Sequence, residues 1–159
     1  MQDKRLVVLE RELFDLEDYI RNLWQFLPIP IAFISPVGIV MEVDSAMENL
    51  VGYAREELIG KDVLELFSDS DEAALIQEKT LRQEPVTNYE ACAVINARGQ
   101  SIPISLSTLI RIDEQTGEPL GYFAAFIDIS KRRKAEEEFR QSADKLAELY
   151  EQERSLRQR

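Results

Sequence analysis

The stretch AFISPVGIVMEVDSAMENLVGYAREELIGKDVLELF, residues 32–67, contains the signals that decide the fold. Two short apolar runs, IAFIS and IVMEV, flank the turn sequence PVG, and this arrangement predicts a β-hairpin. Asp44 then stands where it would cap a short helix, SAMENLV, which ends at Gly52. The remaining residues predict further short helical turns, interrupted by Gly60.

A helix and three strands are predicted downstream of this stretch. The segment DEAALIQEKTLRQ, residues 71–83, predicts a helix with Asp71 as its N-cap and with Ala74, Leu75 and Leu81 on one side. Downstream of this helix, the period of the apolar residues changes from that of a helix towards two residues, which is the period of a strand. Turns separate three predicted strands, VTNYEACAVINA, SIPISLSTLIRI and LGYFAAFIDI. The sequence therefore predicts an α+β domain, with a five-stranded antiparallel sheet and short helices on one face.

A heptad pattern precedes the domain. Residues 4–27 predict one helix, in which large apolar residues recur at alternating spacings of three and four. The residues of this seam are Leu6, Leu9, Leu13, Leu16, Ile20, Leu23 and Leu27. A two-position stripe is narrower than the face of a helix that packs on its own domain, so we favour a homodimeric coiled coil over that alternative. Pro28 ends the helix, and residues 1–28 are expected to form an N-terminal segment.

Residues 130–159 predict a second long helix, because they lack Gly and Pro and are rich in Ala, Glu, Lys, Arg, Gln and Leu. A heptad frame places large apolar residues at only four of its eight core positions, so this seam is weaker than the first. The heptad pattern continues up to residue 159 without a helix-ending residue. We therefore expect a C-terminal helix that is truncated at this end.

The charge is strongly acidic and unevenly placed. The 159 residues carry a formal net charge of −11. Residues 130–159 hold nine basic and seven acidic side chains, which leaves ten basic and twenty-three acidic ones in residues 1–129. Such a body repels a phosphate backbone, so nucleic-acid binding is not expected. The N-terminus is too charged for a signal peptide, no apolar run is long enough to span a membrane, and a cytoplasmic location with no membrane contact by this segment is expected.

The absence of histidine and the single cysteine exclude several chemistries. There is no residue for a histidine-ligated haem, a histidine-based catalytic triad, a zinc site or a histidine phosphoacceptor. One cysteine, Cys92, allows no internal disulfide and no cysteine cage for a metal. The acidic run SDSDE at residues 68–72 lacks the spacing of a calcium loop. No metal site and no enzyme activity are expected.

The order of these motifs resembles a PAS domain. The matching parts are the stretch at 32–67, the hairpin RGQSIPIS and the closing GYFAAFIDISKRRKAEEE. The family pattern N-x-A…L-x-G-Y-x-x-E-E-L-x-G-K is met with Asp44 in place of the frequent Asn, and the closing D-I-T motif has Ser130 in place of Thr. The resemblance covers residues 31–129 and implies a PAS domain at 29–129.

The resemblance also implies a role in signalling. In the family, the sheet is commonly a sensor surface, and the helix that leaves the last strand passes a change to an effector. Asp128, Ile129 and Ser130 would form the relay joint, with Asp128 accepting backbone N–H groups or pairing with Lys131 or Arg132. The expected protein is a homodimeric, bacterial-type relay module of a two-component or related system. Its C-terminal effector would be a kinase, cyclase or phosphatase; the alternative is a ligand-free dimerisation module.

The resemblance leaves the ligand open, because family members bind haem, flavins, organic acids, aromatic compounds or nothing. Val63 stands where light–oxygen–voltage members carry a reactive cysteine, and Phe126 stands where flavin-binding members often carry glutamine. A non-covalently held flavin, a small apolar or aromatic compound and a filled core all remain open, and the cofactor is unknown. By similarity to the family, the inward-facing pocket residues are Ile34, Met41, Val43, Met47, Leu50, Cys92, Val94, Leu106 and Phe126. Cys92, in mid-strand, is interpreted as an inert buried thiol.

Overall fold

The computed structural model describes residues 2–158. Within them, five strands, three short helices and one 3-10 turn form a domain, which two longer helices flank. The helices are α1 Gln2–Phe26, α2 Ser45–Val51, α3 Arg55–Leu58, α4 Ser70–Leu81 and α5 Ser130–Arg157, and the 3-10 turn is Val63–Leu66. The strands are β1 Ile31–Ile34, β2 Val40–Val43, β3 Val86–Ile95, β4 Ser101–Ile112 and β5 Pro119–Asp128.

The five strands form one antiparallel sheet in the order β2-β1-β5-β4-β3. The hairpin β1–β2 forms one edge, the chain crosses through the helices to the other edge, and β5 returns beside β1. Gly121 allows this close return, since a Cβ there would collide with the carbonyl oxygen of Ile34. The sheet and its helices confirm the predicted α+β fold.

The core lies between one face of the sheet and the short helices. Its largest fully buried side chains include Phe126 and Ile34 from the sheet, and Met47 and Leu58 from the helices. Burying each such side chain contributes about 1.5–3 kcal/mol relative to exposure. The alternating apolar residues of β4 and β5 supply the inward face, because successive side chains of a strand point to opposite sides.

The start of α2 follows the sequence prediction. Asp44 is its N-cap, and Oδ1 accepts hydrogen bonds from the backbone N–H groups of Met47, at 2.9 Å, and Ile31, at 3.0 Å. One carboxylate oxygen therefore joins the helix to the first strand. Gly52 ends the helix with φ 74°, a left-handed conformation that glycine adopts without strain.

The start of α4 differs from the prediction. Asp69, not Asp71, is the N-cap, and its Oδ1 accepts from the Glu72 N–H at 3.1 Å. Asp71 lies in the first turn, where its negative charge still suits the helix dipole. The face of α4 towards the core holds Ala73, Ile76 and Thr80, whereas Leu75 is exposed.

The two flanking helices bury no residue within residues 2–158. The helix α1 touches the domain near its end, where the Trp24 ring lies 6.2 Å from that of Phe123 on the outer face of the sheet. None of the helices in the described part of the chain is both long and apolar enough to cross a membrane.

Candidate ligand pocket and relay joint

Eight of the nine predicted pocket residues lie on the core side of the sheet or its helices. Seven of them are buried, namely Ile34, Val43, Met47, Cys92, Val94, Leu106 and Phe126. Leu50 is partly buried and packs against this cluster. The structure thus brings these eight together around Phe126, whose ring lies 5.8 Å from that of Phe67.

Met41 departs from the expected arrangement, since its side chain is 52% exposed. The cause is an irregularity in the first hairpin, where Phe33 pairs with Glu42 but Ile34 pairs with Val40. Such a bulge breaks the alternation of the strand, so Val40 takes the inward position that simple alternation gives to Met41.

The inward side chains leave little free space. The internal cavity has a volume of about 10 Å³ and is lined by apolar residues such as Leu106 and Phe126, together with Gln77, Thr108 and Tyr122. A cavity of that volume has room for about one water molecule. In this conformation the core is filled by its own side chains.

Polar contacts at one end of this core tie α4 to the sheet, and the sequence did not indicate them. The Tyr122 hydroxyl donates to Oε1 of Gln77 at 2.9 Å, and the hydroxyls of Thr80 and Thr108 lie 2.7 Å apart. Burial raises the pKa of Tyr122 well above its ordinary value, so its hydroxyl stays protonated and remains a donor. The sequence offered one sign of these contacts, which is the polar residue Gln77 in a helix that packs against the core.

Cys92 is buried on β3, with its Sγ 3.7 Å from the carbonyl oxygen of Tyr89. Burial raises the pKa of the Cys92 thiol to about 11. Because the thiolate is the reactive form, the Cys92 side chain is unreactive near neutral pH.

At the joint between β5 and α5, Asp128 accepts two hydrogen bonds from Ser130. Oδ1 of Asp128 accepts from the Ser130 N–H at 2.9 Å and from its hydroxyl at 2.6 Å. Between them, Ile129 is buried, and its N–H donates to the carbonyl oxygen of Pro103 on β4 at 3.0 Å. Asp128 thus accepts from one of the free N–H groups at the helix start, and Ile129 anchors this start to the sheet.

The expected pairing of Asp128 with Lys131 or Arg132 is not found among residues 2–158. Arg132 pairs instead with Glu90 on β3, with Nη2 2.6 Å from Oε1, and also lies 3.6 Å from Glu136. The hydrogen bond from Arg132 lowers the pKa of Glu90. The first turn of α5 is therefore attached to three strands, β3, β4 and β5.

The predicted dimer seam lies open on α1. The side chains of Leu6, Leu9, Leu13, Leu16, Ile20 and Leu23 are 51–61% exposed, and Leu27 is partly buried. They contribute nothing to the core of their own domain. The alternative in which α1 packs along its own domain holds only for its end, at Trp24.

Comparison with known proteins identifies the family. The model of the PAS fold matches residues 18–129, more than half of the chain. The chain therefore belongs to the PAS family, whose domains are sensor and interaction modules and are generally not catalytic. The comparison with curated proteins finds no match.

Solved structures of PAS domains share the fold. The PAS domain of an HTR-like protein from Haloarcula marismortui is 18% identical, covers 76% of this chain and 97% of its own, and has a TM-score of 0.60. A PAS domain from Colwellia psychrerythraea is also 18% identical, covers 73% and 98%, and has a TM-score of 0.63. A domain of a sensory box sensor histidine kinase/response regulator from Geobacter sulfurreducens is 18% identical, covers 73% and 96%, and has a TM-score of 0.58. At this identity the likeness shows the fold alone.

Proposed function

We propose that this chain is a cytoplasmic, homodimeric PAS relay module in a two-component or related pathway. It dimerises through α1 and passes a change in the domain through Asp128, Ile129 and Ser130 to α5. From there the change would reach an effector of kinase, cyclase or phosphatase type. The module would consist of an N-terminal segment at 1–28, the PAS domain at 29–129 and the signalling helix at 130–159. The observation that carries the proposal is the open apolar seam of α1.

The seam supports dimerisation because its exposed apolar surface is continuous. Six of its side chains stand more than half exposed on one helix, and a monomer would leave them all in water. Each such side chain gains about 1.5–3 kcal/mol when fully buried, enough in sum to offset the entropy lost on association. The heptad spacing presents them as one stripe to a second helix.

The attachment of α5 supports the relay. Its first turn is held by Asp128 on β5, by the Pro103 carbonyl on β4 and by Glu90 on β3. A change in the twist or spacing of these strands would move the start of α5, since all three contacts are short and directional. Beyond that turn the helix buries no described residue, so it is free to change its partner contacts.

A second candidate, a ligand-free dimerisation module, is favoured by the filled core. A cavity of about 10 Å³ holds no small organic molecule, so an apolar ligand among Leu106 and Phe126 would require the surrounding residues to move. The chain lacks histidine, and neither candidate function involves catalysis. Native mass spectrometry separates them, because it reads a bound small molecule and the chain count together.

The dimer is tested by light scattering on a double variant, Leu13→Asp with Leu16→Asp. Two charges in the seam should give a monomer. The control is Val7→Asp with Phe14→Asp, which places the same charges on similarly exposed residues of the same helix but outside the seam, and should stay dimeric. A dimeric seam variant, or equal loss in both variants, would refute the proposed interface.

A further inference from the structure

A groove of about 530 Å³ lies outside the core, between the end of α1 and the outer face of the sheet, beside Trp24 and Asp44. Its wall holds an aromatic cluster, in which Phe33 and Trp24 flank Phe123 with ring centroids 4.8 Å and 6.2 Å away. Leu109, the cross-strand neighbour of Phe123, is 68% exposed and extends this apolar surface. A single chain therefore leaves an open apolar surface where α1 meets the sheet.

The charged side chains around the groove balance each other. Besides the buried Asp44, it is lined by three acidic and three basic residues, which are Glu17, Glu42, Glu48, Arg21, Arg55 and Arg111. Arg55 and Glu42 already pair with each other at 2.6 Å. Such a lining does not favour an ion of either sign, so an occupant has to match the aromatic surface.

The groove lies directly beside the seam of α1. In the heptad frame of the seam, Ile20 stands at an a position, and Glu17 and Trp24 stand at the neighbouring e positions. All three residues line the groove. In a parallel two-stranded coiled coil, the e residues of one helix face the g residues of the other. The groove is therefore continuous with the proposed dimer interface, on the side that g residues of a partner approach.

The g positions at this end of α1 are aromatic. They are occupied by Tyr19 and Phe26, whose side chains are 65% and 82% exposed. In a parallel pair, Tyr19 of the partner subunit lies beside Trp24, and Phe26 of the partner subunit lies one heptad closer to the sheet. In an antiparallel pair g residues face g residues, and the partner's aromatic side chains stay away from the groove.

The charged e and g residues do not select an orientation by themselves. In a parallel pair Arg5 faces Glu10 of the partner subunit, which is attractive. Glu12 faces Glu17 of the partner subunit, which is repulsive. These two contributions oppose each other, so the aromatic contact at the groove decides between the two orientations.

We infer that the groove binds a second copy of this chain, in a parallel dimer in which Tyr19 and Phe26 of the partner subunit pack on Trp24, Phe33 and Phe123. This inference rests on the proposed dimer and adds its orientation, together with a contact between each α1 and the sheet of the other chain. The contact reaches β5, the strand that ends at Asp128.

The area involved suits a stable dimer. An aromatic side chain buries about 150–250 Å², so Tyr19 and Phe26 of both chains contribute about 600–1,000 Å². A stable interface buries about 1,200–2,000 Å² in total. The two grooves would therefore supply about half of the interface, and the seams of α1 would supply the rest.

The contact is tested by sedimentation equilibrium on three variants. Tyr19→Ala and Phe26→Ala should each raise the dissociation constant of the dimer about tenfold or more, because each removes an aromatic side chain from the interface. The control is Phe14→Ala, which truncates an aromatic residue of the same helix that is 67% exposed but lies outside the seam and its e and g positions. It should leave the constant within about twofold. An unchanged constant in either test variant, or an equal loss in the control, would overturn the inference.

A mixed dimer separates this inference from the dimer itself. Trp24 is the single tryptophan, so its indole protons are unambiguous in a dimer of one isotope-labelled and one unlabelled chain. We expect nuclear Overhauser effects between the Trp24 indole and the ring of Tyr19 of the partner subunit. A dimer without them would overturn the groove contact and leave the seam in place. A monomer would overturn both, since the inference requires the dimer.

Discussion

Arg132 on α5 is paired with Glu90 on β3, with Nη2 2.6 Å from Oε1. The next residue, Arg133, donates to the backbone carbonyl of the same Glu90. Because β3 is an edge strand, this contact links the far side of the sheet to the first turn of the helix that leaves β5. The start of α5 is thus attached to the sheet at β5 and at the edge strand β3.

Replacing Glu90 should loosen that turn. In Glu90→Gln, hydrogen–deuterium exchange of the amides that follow Ser130 should become faster, and the reversed pair Glu90→Arg with Arg132→Glu should restore protection. Glu78→Gln, which removes the exposed pair with Arg82 on α4, serves as the matched control and should not affect α5. Unchanged exchange in Glu90→Gln would show that the pair does not hold the helix.

The same contact should depend on pH with a defined sign. Arg132 lowers the pKa of Glu90 below its ordinary value of 4.5. The contribution of the pair is therefore complete above that value and is lost as the pH falls through the lower folded-state pKa. Protection of the first turn of α5 should decrease on acidification in the wild type but not in Glu90→Gln. An equal decrease in both proteins would contradict this assignment.

Two methionines provide a matched test of the core. Met47 is fully buried and Met41 is 52% exposed. Met47→Ala should lower the free energy of unfolding by about 2–5 kcal/mol, because it removes buried atoms and leaves a cavity. Met41→Ala should change it by less than about 0.5 kcal/mol. Urea unfolding measures both, and similar losses would place Met41 inside the core after all.

Asp44 should make the stability depend on pH in the opposite direction from Glu90. Burial raises the pKa of Asp44 above its ordinary value of 3.8, although the hydrogen bonds from Ile31 and Met47 act against this shift. Its contribution is therefore largest below the ordinary value and is lost as the pH rises through the folded-state pKa. Asp44→Asn should gain stability relative to the wild type as the pH rises from about 4 to about 7. Urea unfolding at both values checks this, and a constant difference would contradict it.

The thiol of Cys92 should react slowly. With its pKa at about 11, very little thiolate is present near neutral pH, and the side chain is buried. Alkylation by iodoacetamide should be much slower in the folded protein than in urea, as measured by mass spectrometry. Equal rates would mean that the strand opens readily around Cys92.

Local patterns predicted most of the fold. The predicted strand SIPISLSTLIRI coincides with β4, and β3 and β5 agree within two residues, because alternation is a property of each strand alone. The sequence analysis missed features that depend on contacts with another part of the chain. The displacement of Met41 comes from a bulge against β1, and the partner of Arg132 lies on β3, far away in sequence. The cap at Asp69 was missed because SDSDE offers several capping residues.

The candidate sites show the same division. The resemblance to the PAS family indicated which side chains face inward around Phe126, but not how much space they leave, since free volume depends on how the elements pack. The groove at Trp24 and Asp44 was not predicted at all. It exists because the end of α1 meets the outer face of the sheet; the apolar ring of Trp24 hinted at that contact, but not at the space beside it.

The central claim, that the joint sets the arrangement of α5 in a dimer, is tested most directly by pulsed electron paramagnetic resonance. A spin label at Gln141→Cys, outside the predicted seam of α5, is measured in a Cys92→Ala background. We predict one narrow distance between the two chains, which shifts in Asp128→Ala but not in Asp69→Asn. Absence of dipolar coupling, or the same distance in Asp128→Ala, would contradict the account.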